Sequence, residues 1–277
     1  MSEHSGQPWE SFASLAQLPD DQIDLARAAL LIASTEYPGL DVDHQLGVLD
    51  ALAAGAAYRL GGDREPMSSV NALSEYLFDE VGFRGNEEDY YDPKNSFLNE
   101  VLDRRLGIPI TLSLVCIEVG KRVGIPLVGV GLPGHFIVMH RDEQNLFIDP
   151  FYRGIMLSQE ECAERVKQIA GANTPWDSRY LEPVSTREFI SRLLRNLKAM
   201  YLHSQDRGRA VEMMNGLLAL NPLDAPERRD RGLVLYQLRR NQEALEDLQF
   251  YLDHAPNREG TQGIHRLVSQ LRNLLGG

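Results

Sequence analysis

The stretch "GIPITLSLVCIEVGKRVGIPLVGVGLPGHFIVMH", residues 107–140, decides the fold. Pro109 suits the first turn of a helix, where a missing N–H costs nothing. From Thr111 to Val123 the chain is apolar on most sides, broken by Glu118, Lys121 and Arg122. That pattern predicts a helix buried around most of its circumference. "PLVGVG" and "HFIVMH" are rich in strand formers, and Leu132-Pro133-Gly134 between them is a turn signal. "NLFIDPF", residues 145–151, adds a third short strand after a turn at "RDEQN". A helix followed by consecutive antiparallel strands is an α+β arrangement.

Working outward, helical patterns precede this core. "DDQIDLARAALLIASTEYPG" opens on acidic residues that suit a helix N-terminus and closes at Pro38-Gly39. "DVDHQLGVLDALAAGAAYRL" repeats the plan and ends at Gly61-Gly62, and a third helix opens near Pro66 and stops at Gly82. The polar run "RGNEEDYYDPKNS" predicts an exposed loop. Ser96 is the expected cap of a short helix, "SFLNEVLDRRLG". From about Ser158 onward the pattern is helical again.

The chain of 277 residues is 43% hydrophobic and 25% charged, enough for a sizeable core without staples. Its size fits one medium domain plus a small one, expected at 1–184 and 185–277. No apolar run approaches the roughly 18 residues that span a bilayer, and "MSEHSGQPWESF" has no secretory leader pattern. Cys116 and Cys162 form neither a disulfide framework nor a zinc spacing. These features predict a cytoplasmic protein without membrane contact. Residues 1–184 hold 14 Lys+Arg against 29 Asp+Glu, whereas residues 185–277 hold 14 against 11. Nonspecific nucleic-acid binding needs a basic footprint, so nucleic acid is not an expected partner.

The chemistry centres on two residues. Alternate strand residues share a face, so His135 and His140 point opposite ways and cannot chelate one metal. Asp149, held extended before Pro150, can aim its carboxylate at His135 on a neighbouring strand. A carboxylate that orients an imidazole is the second half of a nucleophile–base–acid triad. No cofactor or metal is expected.

The tail carries an internal repeat. Ala210/Ala244, Pro222/Pro256, Tyr201/Leu235 and Leu218/Leu252 share an offset of 34. A 34-residue period with small residues inside and a closing proline resembles tetratricopeptide helix pairs. In that register Leu197 and Arg231 take a hydrophobic position and Lys198 and Gly232 a glycine position, so Arg231 and Lys198 are departures. "GIHRLVSQLRNLL" then serves as a capping helix. A repeat tail of this kind implies a protein or peptide partner.

The quoted core and "LFIDPF" resemble the transglutaminase-like, papain-related domain. In combination, "NSFLNEVLDRRLGIPITLSLV", "GVGLPGHFIV" and the following repeat pair resemble the SirB1 family of bacterial proteins, from roughly Ser68 to Pro256. The resemblance implies a transglutaminase-like domain followed by a helical-repeat region. Active members carry Gly-x-Cys about fifteen residues before the glycine of "GIP". Here Gly107-Ile108-Pro109 stands in that place, so Pro109 occupies the position of the nucleophile. Proline has no thiol, no hydroxyl and no N–H for an oxyanion. Cys116 lies about 20° from the direction of Pro109 but roughly 10 Å further along the helix, away from the N-terminus that favours a thiolate. Thr111 and Ser113 lie nearer the helix start and would need His135 as their base. Cys162, on a surface-type helix, is given no role.

Two functional classes follow. In the first, a disarmed cleft near His135 and the repeats bind protein or peptide without catalysis. In the second, a hydrolase or transamidase with a relocated nucleophile uses the His135–Asp149 pair.

Overall fold

The computed structural model describes residues 6–62, 64–143, 145–254 and 261–276. Residues 1–5, Gln144 and Pro256, which carried expectations above, lie outside the described residues. The chain divides into two compact units, Met1–Leu193 and Leu194–Gly277.

The first unit opens with helices whose starts are fixed by carboxylates. After α1 (Gly6–Ala16), α2 (Leu25–Glu36) begins at Asp24, which accepts from the backbone N–H of Arg27 at 2.9 Å. Asp41 caps α3 (Val42–Leu60) through the N–H of His44 at 2.9 Å, and Gly61 ends it with φ of 56°. A side-chain acceptor at this position satisfies one of the N–H groups that a helix start leaves open. In α4 (Pro66–Ser74) Glu65 does the same for Ser68, and the helix runs on into a π-helical turn over Glu75–Glu80.

Residues 84–96 correct the expectation of an exposed loop. They begin with β1 (Arg84–Gly85), and Asn86, Asn95 and Ser96 are buried. The amides of Asn86 and Asn95 make this possible. Asn86 Nδ2 donates to Asn95 Oδ1 at 3.0 Å, and Asn95 Nδ2 donates to the carbonyl of Asp89 at 2.7 Å. Buried polar groups are tolerated when bonded in this way. Ser96 closes a 3-10 turn, and the cap position of α5 (Leu98–Arg104) falls on Phe97, with no side-chain cap. β2 (Leu106–Gly107) pairs in parallel with β1.

The centre of the unit is α6 (Pro109–Val123), buried continuously from Pro109 to Gly120. Leu112, Leu114, Val115 and Val119 are each at most 1% exposed, and each such side chain contributes about 1.5–3 kcal/mol. Gly124, with φ of 82°, turns the chain into β3 (Leu127–Val130). A side chain at Gly120 would meet Leu127 at 2.8 Å, so glycine lets helix and strand close up. β4 (Ile137–His140), β5 (Phe147–Asp149) and β6 (Ile155–Leu157) complete an antiparallel sheet in sequence order. The fourth strand was not expected. α7 (Gln159–Ala170) follows, with Ser158 and Glu161 forming a reciprocal cap.

Helix α8 (Thr186–His203) contains the division between the units. Its start belongs to the first unit because Asp20 accepts the N–H groups of Thr186 and Arg187, and Phe189 packs on Phe136 at 4.7 Å. The unit therefore extends past the boundary expected at residue 184.

In the second unit α9 (Arg207–Leu220), α10 (Ala225–Gln237), α11 (Asn241–His254) and α12 (Gln262–Gly276) follow. Val211, Met214, Val234, Leu235, Ala244, Leu248, Val268 and Leu271 form its core. Ala210 and Ala244 are fully buried, and a Cβ on Gly232 would lie 2.8 Å from Leu248, so small residues sit where helices touch. The two departures are charged for a reason. Lys198 reaches Glu227 at 2.7 Å, and Arg231 reaches Asp247 at 2.6 Å.

Candidate functional site

His135 precedes β4, and Asp149 ends β5. Ile137, Met139 and Phe147 on these strands pack with Cys162 and Val166 of α7. By the two-residue alternation of a strand, His135 and Asp149 lie on that same face. The structure brings them together: His135 Nε2 and Asp149 Oδ2 are 2.9 Å apart, with side-chain exposures of 2% and 0%. Asp149 also accepts the backbone N–H of Phe151 at 3.2 Å, because the following proline starts a 3-10 turn there (Pro150–Tyr152). Arg165 of α7 approaches the same Oδ2 with Nε at 3.5 Å, and its guanidinium lies 4.0 Å from the ring centre of Tyr152. A fully buried carboxylate is tolerable only with such partners.

Aromatic rings border the pair. The His135 ring lies 6.2 Å from Phe151 and 6.0 Å from Tyr152, and Phe151 lies 6.0 Å from Tyr90. Any Cβ at Gly85 would strike Phe151 at 2.6 Å, so glycine in β1 lets this ring in. Burial, and then the neighbouring Tyr91 and Tyr152, push the Tyr90 hydroxyl above its ordinary range.

Among the described residues, none of the other candidates is hydrogen-bonded to His135. Pro109 is the first residue of α6 and makes no polar contact with His135. Thr111 is committed to the helix start: its hydroxyl donates to the Asn95 carbonyl at 2.7 Å and accepts from the N–H of Ile108 at 3.1 Å. Ser113 is fully buried and its hydroxyl has no hydrogen-bond partner among the described residues, so none of them serves it as a base. Cys116 is fully buried, and burial pushes its thiol up to about 12. Cys162 is also fully buried rather than on a free surface. Burial first, then the charges of Asp149 and Glu161, push its thiol up to about 12 against the opposing pull of Arg165. A thiol held in that form is neither nucleophile nor metal ligand. His140 is buried with Nδ1 unpartnered and does not meet His135. Among the described residues, no group of three His, Cys, Asp or Glu side chains is arranged to hold a metal ion. No described helix is long and apolar enough to cross a membrane.

Sequence reasoning missed Arg165 and Tyr152. The signal was present in "ECAERV": Cys162 and Val166 point inward, so Arg165 flanks the buried stripe of α7.

The chain is similar to known proteins along most of its length. Residues 43–195 match the transglutaminase-like superfamily and residues 197–274 match the tetratricopeptide repeat. The chain is 38% identical over 268 residues to a UPF0162 protein of Xylella fastidiosa, covering 94% of each. It is 28% identical over 253 residues to a UPF0162 protein of Vibrio cholerae, covering 91% of this chain and 93% of that one. A shorter likeness, 33% over 108 residues, links 36% of this chain to 17% of F-box only protein 21 of Mus musculus.

Proposed function

The chain belongs to the transglutaminase-like superfamily and to the UPF0162 proteins, and from that premise we propose that it is a non-catalytic binding protein. In this reading the transglutaminase-like unit keeps a cleft beside His135 for a peptide or small ligand. The tetratricopeptide repeats dock a protein partner, and the whole acts as a regulatory module in the cytoplasm. The order of a transglutaminase-like core and a repeat pair is what we take for the SirB1 arrangement.

One observation carries the reading: α6 opens with Pro109, where an active relative would present its thiol. Both cysteines support it, since each is buried and held as the neutral thiol. The His135–Asp149 pair, at 2.9 Å, favours a second reading, a hydrolase or transamidase with a relocated nucleophile. Against that reading, Thr111 is spent on the helix start and Ser113 has no base beside it.

Restoring the thiol tests the assignment. Pro109→Cys places a thiol at a helix N-terminus, which favours the thiolate. The expected outcome is rapid labelling of this variant by iodoacetamide, slowed by a further His135→Ala change. An inert thiol at this position would remove Pro109 from the nucleophile's place. Capture of partners from the native cell should persist in Pro109→Ala and depend on the repeats. Undiminished capture after their removal would end the docking part of the reading.

A further inference from the structure

We propose that the repeat unit holds a small-molecule site of its own, a cavity between α11 and α12 that receives a free α-amino acid with an apolar side chain. The site lies wholly within the second unit and is independent of His135. Spacing along the two helices builds it. Leu252 and Asp253 follow Gln249 by three and four residues, and Ser269 and Arg272 follow His265 by four and seven. Residues so spaced share a helix face, and here the two faces meet across a cavity of about 380 Å³. Small-molecule sites range over roughly 300–1,000 Å³, so this one suits a small ligand. Its floor is apolar: Val268 is 3% exposed, and Leu252 packs on the same core. Its rim is open, since Asp253, His265, Ser269 and Arg272 are all exposed.

The charges on the rim decide the ligand. One wall carries a carboxylate, Asp253 of α11, and the other a guanidinium, Arg272 of α12. The side chain of Gln249 stands between them. Its Oε1 accepts from Arg272 Nη2, and its Nε2 donates to Asp253 Oδ1 at 2.8 Å. A single amide, with its acceptor and its donor on one carbon, therefore spans the two charges. An α-amino acid carries a carboxylate and an ammonium on neighbouring carbons, so it has the same reach with full charges in place of partial ones. Among the described residues, Asp253 Oδ2 and the Nε and Nη1 of Arg272 have no hydrogen-bond partner, so the ligand need not displace Gln249. Charged partners make the stronger hydrogen bonds. A ligand with only an anionic group meets Asp253 as a like charge, and one with only a cationic group meets Arg272 in the same way. A zwitterion finds an opposite charge on each wall. Its apolar side chain then covers Leu252 and Val268, which a polar one would leave wet.

Backbone amide proton–nitrogen spectra of the full chain, titrated with L-leucine, test the proposal. L-leucine should shift the amides of Asp253, Val268 and Arg272. N-acetyl-L-leucine keeps the side chain and only the negative charge, and L-leucine amide keeps only the positive one. Each should bind about 10-fold more weakly, since each loses an attraction and retains a repulsion. Asp253→Asn and Arg272→Gln, both at exposed positions, should each weaken leucine binding roughly 3- to 5-fold, the scale of an exposed charge pair. Ser269→Phe, also at an exposed position, should abolish binding by filling the cavity while both charges stay in place. Equal binding of leucine and either analogue would overturn the zwitterion. Leucine shifts that survive Ser269→Phe, or no shift with any probe, would overturn the site.

Discussion

Each unit of the molecule buries one aspartate with cationic or imidazole partners, and the two clusters differ in what they leave over. In the repeats, Asp247 is 1% exposed and is met by Arg231 through two bonds, at 2.6 and 2.8 Å, and by Arg228 at 3.2 Å. Arg231 also reaches Asn215 at 2.7 Å. In the first unit, Asp149 is 0% exposed and holds His135, but among the described residues the far edge of that imidazole has no hydrogen-bond partner. A closed cluster staples helices; an open one keeps a group available to a ligand. The same burial thus closes one cluster on itself and leaves an imidazole edge over in the other.

Removing each carboxylate is the strongest way to break this contrast. Asp247→Ala strands two arginines between α10 and α11, at a cost on the order of 3 kcal/mol once their partial exposure is allowed for. Hydrogen exchange at these helices under urea reads it, and a loss below about 1 kcal/mol would deny Asp247 its stapling role. Asp149→Ala should cost less, about 1–3 kcal/mol, because it strands one guanidinium, Arg165 at 3.5 Å, where Asp247→Ala strands two. A larger loss here than at Asp247 would reverse the comparison.

A smaller effect sharpens it. Glu227 pairs with Lys198, yet burial raises its carboxyl above the ordinary value near 4.5. A raised carboxyl means that the ionised form is the less favoured one in the fold. Its contribution to stability is therefore fully present below the ordinary value and lost as pH rises through the raised one. The stability of the wild type relative to Glu227→Gln should accordingly improve as pH falls from 7 toward 4. A difference that moves the other way would show that the pair with Lys198 outweighs burial.

Much of this was readable from residues alone. The buried helix α6, three of the four strands of the main sheet, the helix start at Asp41 and the 34-residue offset all follow from periodicity and capping chemistry, whereas the helix expected to open at Asp20 begins only after a 3-10 turn, at Asp24. The rest depends on contacts that no local pattern carries. β6 is three residues long with Ile155 and Met156 exposed, so it lacks alternation. Residues 84–96 look like loop because asparagines usually face water, yet Asn86 and Asn95 satisfy each other inside. The His135–Asp149 approach was legible as an intention of two strands. The part of Arg165 was missed, because the surface-type composition of its helix masks the inward stripe of Cys162 and Val166 that it flanks. Arg231 and Lys198, departures from the repeat pattern when read singly, make sense only once Asp247 and Glu227 stand opposite them.

The central claim, that no reactive thiol or hydroxyl serves His135, is tested by mapping covalent labelling of the folded full-length protein with iodoacetamide and a fluorophosphonate. With thiols raised to about 12, only about one in 10⁴ is ionised at pH 8. Neither cysteine and no hydroxyl should react before unfolding, and both cysteines should react once urea exposes them. Fast labelling of a single native side chain, lost in His135→Ala, would contradict the account and make the protein an enzyme.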